Sequence, residues 1–128
     1  MARILACADV HIGRRSAGLP AELAAELTPA AAWERLVAYA IRQEVDALVV
    51  CGDLTDEANS YFESLGPLER AVRALAAVRI PFVTVAGNHD WDVLGRLADS
   101  ATGPITVLGR GGRWEHVDIT GRAGDRVR

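Results

Sequence analysis

The chain has 128 residues, 50% hydrophobic and 24% charged, with a formal net charge of −3 and two cysteines. A length in this range suits one domain, in which roughly two-thirds of the unfolded chain's surface is buried on folding, and no uncharged run approaches the roughly 20 residues of a membrane span. A net charge of −3 argues against attachment to nucleic acid by bulk electrostatics and leaves only a local basic patch. Two cysteines without a secretory signal make no disulfide framework, and a start that runs directly into a strand reads as a soluble, cytoplasmic protein.

Ile4 to Ala8 reads as a buried strand that ends in Asp9-Val10-His11. Gly13 to Leu27, carrying Arg14, Arg15, Gly18 and Pro20, reads as a loop with a short helical piece from Ala21 to Leu27. Thr28-Pro29 is a helix start, because threonine caps free amides and a proline at the first helical position has no amide to leave unpaired. Trp33, Leu36, Val37, Ala40, Ile41 and Val45 then recur at helical spacing and form one apolar stripe for packing on a sheet. The second strand, Ala47 to Cys51, runs into Gly52-Asp53-Leu54-Thr55-Asp56.

Ser60-Tyr61-Phe62-Glu63 matches a capping box. Gly66-Pro67 interrupts the pattern, and Leu68, Val72 and Leu75 continue it to about Val78, so a kinked or two-piece helix is expected there. The third strand, Pro81 to Ala86, leads into Gly87-Asn88-His89-Asp90. A short helix from Asp92 to Ala98, a turn at Gly103-Pro104, a strand from Ile105 to Leu108 and a turn from Gly109 to Gly112 follow. Arg113 to Ile119 reads as a further strand. A turn from Gly121 to Asp125 precedes a final element that reads as cut short at Arg128, so residues 1–128 are expected to be one domain truncated at its C-terminus. Strand, helix, strand, helix, strand implies parallel crossovers.

Three polar segments thus follow three apolar strands, and in open α/β sheets ligands bind beyond the strands' carboxyl ends. Residues two apart on extended backbone point the same way, so Asp9 and His11 can face one ion. Glycine before Asp53 and before Asn88 permits tight turns close to a metal. Carboxylate and amide oxygens combined with imidazole suit Mn²⁺, Fe or Zn²⁺ better than Ca²⁺.

Asp-x-His, Gly-Asp-x-x-Asp and Gly-Asn-His-Asp, in this order and at these separations, resemble the signature of the calcineurin-like metallophosphoesterases. Asp9-Val10-His11-Ile12-Gly13-Arg14 and the Gly66 to Arg70 segment look most like the SbcD-type DNA repair exonucleases. The resemblance runs from Arg3 to about Trp114. It implies an α/β fold, a βαβαβ layered sheet forming the N-terminal half of an αββα sandwich, followed by a β-hairpin region. It also implies two divalent ions, Mn²⁺ before Fe or Zn²⁺. Asp9 and His11 would hold the first, Asn88 the second, and Asp53 would bridge both and help position the hydroxide that attacks phosphorus in line. His89 would stabilise developing charge or protonate the leaving oxygen, Asp90 would orient its imidazole, and Asp56 would fix the loop in the second shell.

The family's later histidine and its final Gly-His-x-His segment have no counterpart here, and His116 matches no family motif and reads as a solvent-edge strand histidine. Bland readings accompany the others. Asp56 is equally readable as a turn aspartate, and Arg14 and Arg15 as a solvated loop that could instead contact substrate phosphate. Trp91 either walls the site or packs beneath it. Arg110 to Arg113 reads as a hairpin turn before a nucleic-acid patch, and Cys7 and Cys51 as buried packing thiols before redox or metal groups. The leading function is metal-dependent cleavage of DNA phosphodiesters by the complete enzyme. The alternatives are a small-molecule phosphodiesterase or phosphatase, or a silent metal-binding fragment. An exposed sheet edge could recruit a second copy, and the resemblance adds an SbcC-type ATPase as partner of the full-length protein only.

Overall fold

The computed structural model describes residues 1–128 except 16, 25 and 57–59, and no side chain is described for Ala21, Ser60 or Tyr61. In chain order the elements are β1 (Ile4–Cys7), α1 (Ala21–Ala24), α2 (Pro29–Arg42), β2 (Ala47–Cys51), α3 (Ser60–Ala77), β3 (Phe82–Val85), α4 (Leu94–Ser100), β4 (Thr106–Leu108), β5 (Ile119–Thr120) and β6 (Arg126–Val127). The first four strands form one sheet in the order β1-β2-β3-β4, and the last two form a separate antiparallel pair. Every pairing in the larger sheet is parallel, with Leu5 opposite Leu48, Leu48 opposite Phe82, and Thr84 opposite Val107. Parallel neighbours need a long crossover, and α2 and α3 supply the first two. The α/β class and parallel sheet expected from the sequence are therefore present, with the hairpin after them.

The helices form where the sequence stripe said they would, for local reasons. The Thr28 hydroxyl accepts the Ala31 N–H at 3.0 Å and Pro29 opens α2, a cap worth about 1 kcal/mol. The buried face of α2 presents Trp33, Val37 and Ala40, and the Trp33 ring lies 5.5 Å from that of Phe82. Leu68, Ala71, Val72 and Leu75 of α3 join the same core as Leu48 and Val50. One sheet face is thus closed by helices. On the other face Val85 is 37% and Ile4 39% exposed.

Three expectations give way. Of the kinked or two-piece helix expected here, the two-piece form is excluded, since α3 is one helix through Pro67; the apolar face from Leu68 to Leu75 is buried on the core, and tertiary packing of such a face outweighs the lost hydrogen bond. The expected strand over residues 113–119 reduces to β5, because residues 113–116 are exposed and the Glu115 carboxylate is used to accept the Gly109 N–H at 2.8 Å. The expected turn from Gly109 to Gly112 is present, with residues 110–112 in a 3-10 turn, but it is no hairpin, because β4 pairs with β3 and β5 with β6. The expected Ser60 cap falls on a side chain outside the described residues. No helix among the described residues is long and apolar enough to cross a membrane.

Candidate metal centre

The loops that follow β1, β2 and β3 converge on one end of the sheet, as the strand-end rule requires. Backbone bonds join the first two: Asp9 N–H to Gly52 O at 3.2 Å, His11 N–H to Asp53 O at 2.9 Å, Ile12 N–H to Leu54 O at 2.9 Å and Asp56 N–H to Ile12 O at 3.0 Å. The buried Ser64 hydroxyl donates to Ile12 O at 2.9 Å and anchors this seam to α3. Ser64 carries no signal in the sequence, since a serine inside an apolar helix looks like any spacer.

Asp9, His11 and Asp53 have φ of 55°, 52° and 51°. The extended geometry expected for Asp9 and His11 is therefore replaced by left-handed backbone, a region Asp and His tolerate better than most side chains. The result is still convergence: one ligand atom from each of Asp9, His11 and Asp53 lies within 4.8 Å of the others. A second group, His11, Asp56 and His89, meets the same limit. Both groups share His11.

The loop after β3 is fitted to Asp53. The His89 N–H donates to Asp53 Oδ1 at 2.9 Å, and a Cβ on Gly87 would overlap the Asp53 carboxylate. Gly87 is thus required for close approach. Asn88 follows it on the exposed side of the turn.

Asp90 differs from expectation. Fully buried, its Oδ2 accepts Leu54 N–H at 2.8 Å and Thr55 N–H at 3.2 Å, and its Oδ1 accepts Gly87 N–H at 2.7 Å. Its carboxylate clips the β2 loop to the β3 loop. The carboxylate set between the imidazoles is that of Asp56, with Oδ1 3.3 Å from His11 Nδ1 and 3.9 Å from His89 Nδ1. The two rings stand edge to face at 4.9 Å. Spacing along the chain places Asp90 beside His89, whereas the turn carries its carboxylate inward onto the loop amides.

The donor set fits a divalent cation. Among the described residues His11 Nδ1 is buried and has no hydrogen-bond partner, with Asp56 Oδ1 3.3 Å away. A buried polar atom left open beside carboxylates is unfavourable unless something occupies it. Carboxylate oxygens with imidazole nitrogen match first-row divalent ions.

The remaining candidates lie around this centre. Arg14 and Arg15 line a hollow of about 360 Å³ with Gly13, Thr28 and Glu63; Arg14 is exposed and Arg15 pairs with Glu63 at 3.1 Å. Trp91 is 73% exposed, which removes the reading that it packs beneath the site. Cys7 is half-buried, and burial, aided by nearby Cys51, pushes its thiol pKa up. Cys51 is exposed, contrary to its expected packing role, because the face it occupies is open. His116 is exposed and lies outside any strand.

Comparison with known proteins decides the family. The calcineurin-like phosphoesterase family model matches residues 2–125. The chain belongs to the calcineurin-like phosphoesterases. Among similar proteins, each named DNA double-strand break repair protein Mre11, that of Haloferax volcanii is 33% identical over 112 residues, 86% of this chain and 25% of the relative. That of Saccharolobus solfataricus is 31% identical over 90 residues, covering 70% and 23%. That of Methanosarcina acetivorans is 36% identical over 88 residues, covering 69% and 14%. The chain spans no more than a quarter of these relatives' lengths. The resemblance to repair proteins of SbcD type agrees with this set.

Proposed function

We propose that this calcineurin-like phosphoesterase chain is part of a metal-dependent hydrolase that cleaves phosphodiester bonds in DNA. The observation that carries the reading is the convergence of Asp9, His11 and Asp53 within 4.8 Å from the ends of β1 and β2, with His89, from the end of β3, hydrogen-bonded through its backbone to the same Asp53. Repair proteins among the relatives support DNA over a small phosphoester.

Two divalent ions, Mn²⁺ in preference to Fe or Zn²⁺, would supply Lewis-acid charge neutralisation and a strong nucleophile at neutral pH. Asp9 and His11 would hold one, Asn88 the other, and Asp53 both. In hydrolysis the oxygen of water forms a bond to phosphorus as the bond to the leaving oxygen breaks in line, and a proton must reach that oxygen. His89 is the group assigned to that proton or to the charge that precedes it. Asp56, 3.9 Å away, orients the imidazole, and Asp90 holds the loops in register. Arg14, exposed and joined through its N–H to the His11 carbonyl at 3.0 Å, and Arg15 are assigned to the phosphate backbone.

The test is Mn²⁺-dependent hydrolysis of an activated phosphodiester and of a DNA strand by this chain, with Asp53→Ala as control. Turnover of both that disappears in the control supports the reading. Turnover of nucleotide or sugar phosphates without DNA cleavage would replace the substrate, and activity that survives Asp53→Ala would remove the centre.

Partners and location belong to the same proposal. A cytoplasmic setting and an SbcC-type ATPase would apply to the full-length protein. The edge of β1, outermost in the sheet, is assigned to pairing with a second copy; a strictly constant monomer mass in light scattering up to high concentration would refute that pairing.

A further inference from the structure

On the β4 side of the centre the same end of the sheet opens into a hollow of about 400 Å³ lined by Ala86, Trp91, Val107 and residues 109–112. That volume is in the range of small-molecule sites, roughly 300–1,000 Å³. Ala86 and Trp91, which line it, bracket the Gly87 to Asp90 turn in sequence, so the hollow adjoins the loop that carries Asn88 and His89. Trp91 is 73% exposed, an unusual position for an indole with nothing covering it. In the same lining, Gly109, Gly111 and Gly112 all have positive φ, 78°, 68° and 76°, and nothing lies within 4 Å of where a Cβ of Gly111 or Gly112 would stand. The glycine part of that lining is therefore bare backbone.

Arg110 is held in that lining by Asp99 at 3.0 Å and the Gly95 carbonyl at 3.4 Å. On the other side of the turn, Trp114 is fully exposed and lines a shallower hollow of about 290 Å³ with Val85, Leu108 and Arg113. Two indoles and two guanidinium groups thus flank one glycine-rich turn. Flat π faces with arginine beside a phosphate-handling centre suit a planar heterocycle, since bases stack on aromatic side chains and arginine adds cation–π attraction. A phosphodiester carries a nucleoside on either side, so one bound at Asp53 and His89 brings a base to this flank.

We infer that the Trp91 hollow is a stacking subsite for an unpaired nucleobase next to the phosphodiester, which makes single-stranded or frayed DNA the form of substrate this site accepts. A base inside a duplex is stacked on both faces and must be extruded to meet an indole. The inference rests on the proposed phosphodiesterase reading and adds the strand state to it.

The test is a titration of a short single-stranded oligothymidine into the chain in EDTA, where metal-dependent cleavage is suppressed, followed by indole fluorescence and by anisotropy of a labelled strand. Buried Trp33, 1% exposed, serves as the internal signal of folding. The expected result is quenching with binding, weakened roughly tenfold by Trp91→Ala and largely restored by Trp91→Phe. The same strand made abasic throughout should bind the wild type as weakly as the base-containing strand binds Trp91→Ala. Equal affinity for both strands, or an unchanged affinity in Trp91→Ala, overturns the subsite and leaves the phosphodiesterase reading standing if Mn²⁺-dependent hydrolysis persists. Trp91-dependent, base-dependent binding without Mn²⁺-dependent hydrolysis sinks the enzyme reading and retains the subsite.

Discussion

Asp9, His11 and Asp53 hold φ between 51° and 55°, a conformation that costs a non-glycine residue about 1–3 kcal/mol and persists only where surroundings over-determine it. Here the seam between the β1 and β2 loops and the Asp90 clip do so. Removing the clip is the direct probe. In Asp90→Ala the N–H groups of Leu54, Thr55 and Gly87 lose a charged acceptor, at a cost of about 3 kcal/mol or more in unfolding free energy, readable in urea denaturation. Asp90→Asn, which keeps one acceptor oxygen, should fall between it and the wild type. Equal stability of all three would show that the loops are held without the carboxylate. Gly87→Ala acts on the same join from the other side. Its methyl would displace the Asp53 carboxylate, so Mn²⁺ affinity should drop by at least about tenfold while overpacking costs about 1–3 kcal/mol; calorimetric Mn²⁺ titration checks it, and an unchanged affinity would mean that Asp53 does not need its present position.

Between elements, the stabilising contacts divide into an apolar layer and a few polar ties. The layer is Trp33, Val37, Leu48, Val50, Leu75 and Phe82, closing one sheet face. At the opposite end of the strands from the metal candidate, Asp46 accepts the Arg3 N–H at 2.8 Å and the Arg122 N–H at 2.9 Å, joining β1, β2 and the turn between β5 and β6. The backbone bonds from Arg3 and Arg122, with the charges of those arginines adding to them, hold its pKa below the ordinary 3.8. A lowered folded pKa means that the unfolded chain takes up the proton first as pH falls. The stabilisation is therefore complete above the unfolded value and is lost as pH falls through the lowered folded value. Asp46→Asn should be less stable than wild type at pH 7 and should lose less on acidification to about pH 3, measured as urea midpoints at both values. Parallel pH dependence in the two proteins would show that the tie does not differ between folded and unfolded chains.

The whole molecule gathers three dispersed motifs at one sheet end, and that much was legible in the sequence because apolar strands and the polar residues that end them are local features. The strand positions and the order of Asp9, His11, Asp53 and His89 follow from it. What stayed hidden depended on turns. Asp90 reads as a neighbour of His89 until the chain bends it inward, and Asp56 reads as a loop residue until the parallel pairing of Ile12 with Thr55 brings it beside both imidazoles. Ser64 and the continuity of α3 through Pro67 were equally hidden, because each is set by what the helix packs on. Residues 113–118 show the converse: a segment that reads as a strand pairs with none among the described residues.

The most direct measurement is Mn²⁺ titrated into this chain and followed by the free-ion EPR signal, with Asp53→Ala and His116→Ala in parallel. Saturable uptake by the wild type and by His116→Ala, weakened at least about tenfold in Asp53→Ala, is the predicted result. Equal uptake by all three proteins, or none by the wild type, would contradict a metal centre built on Asp9, His11 and Asp53.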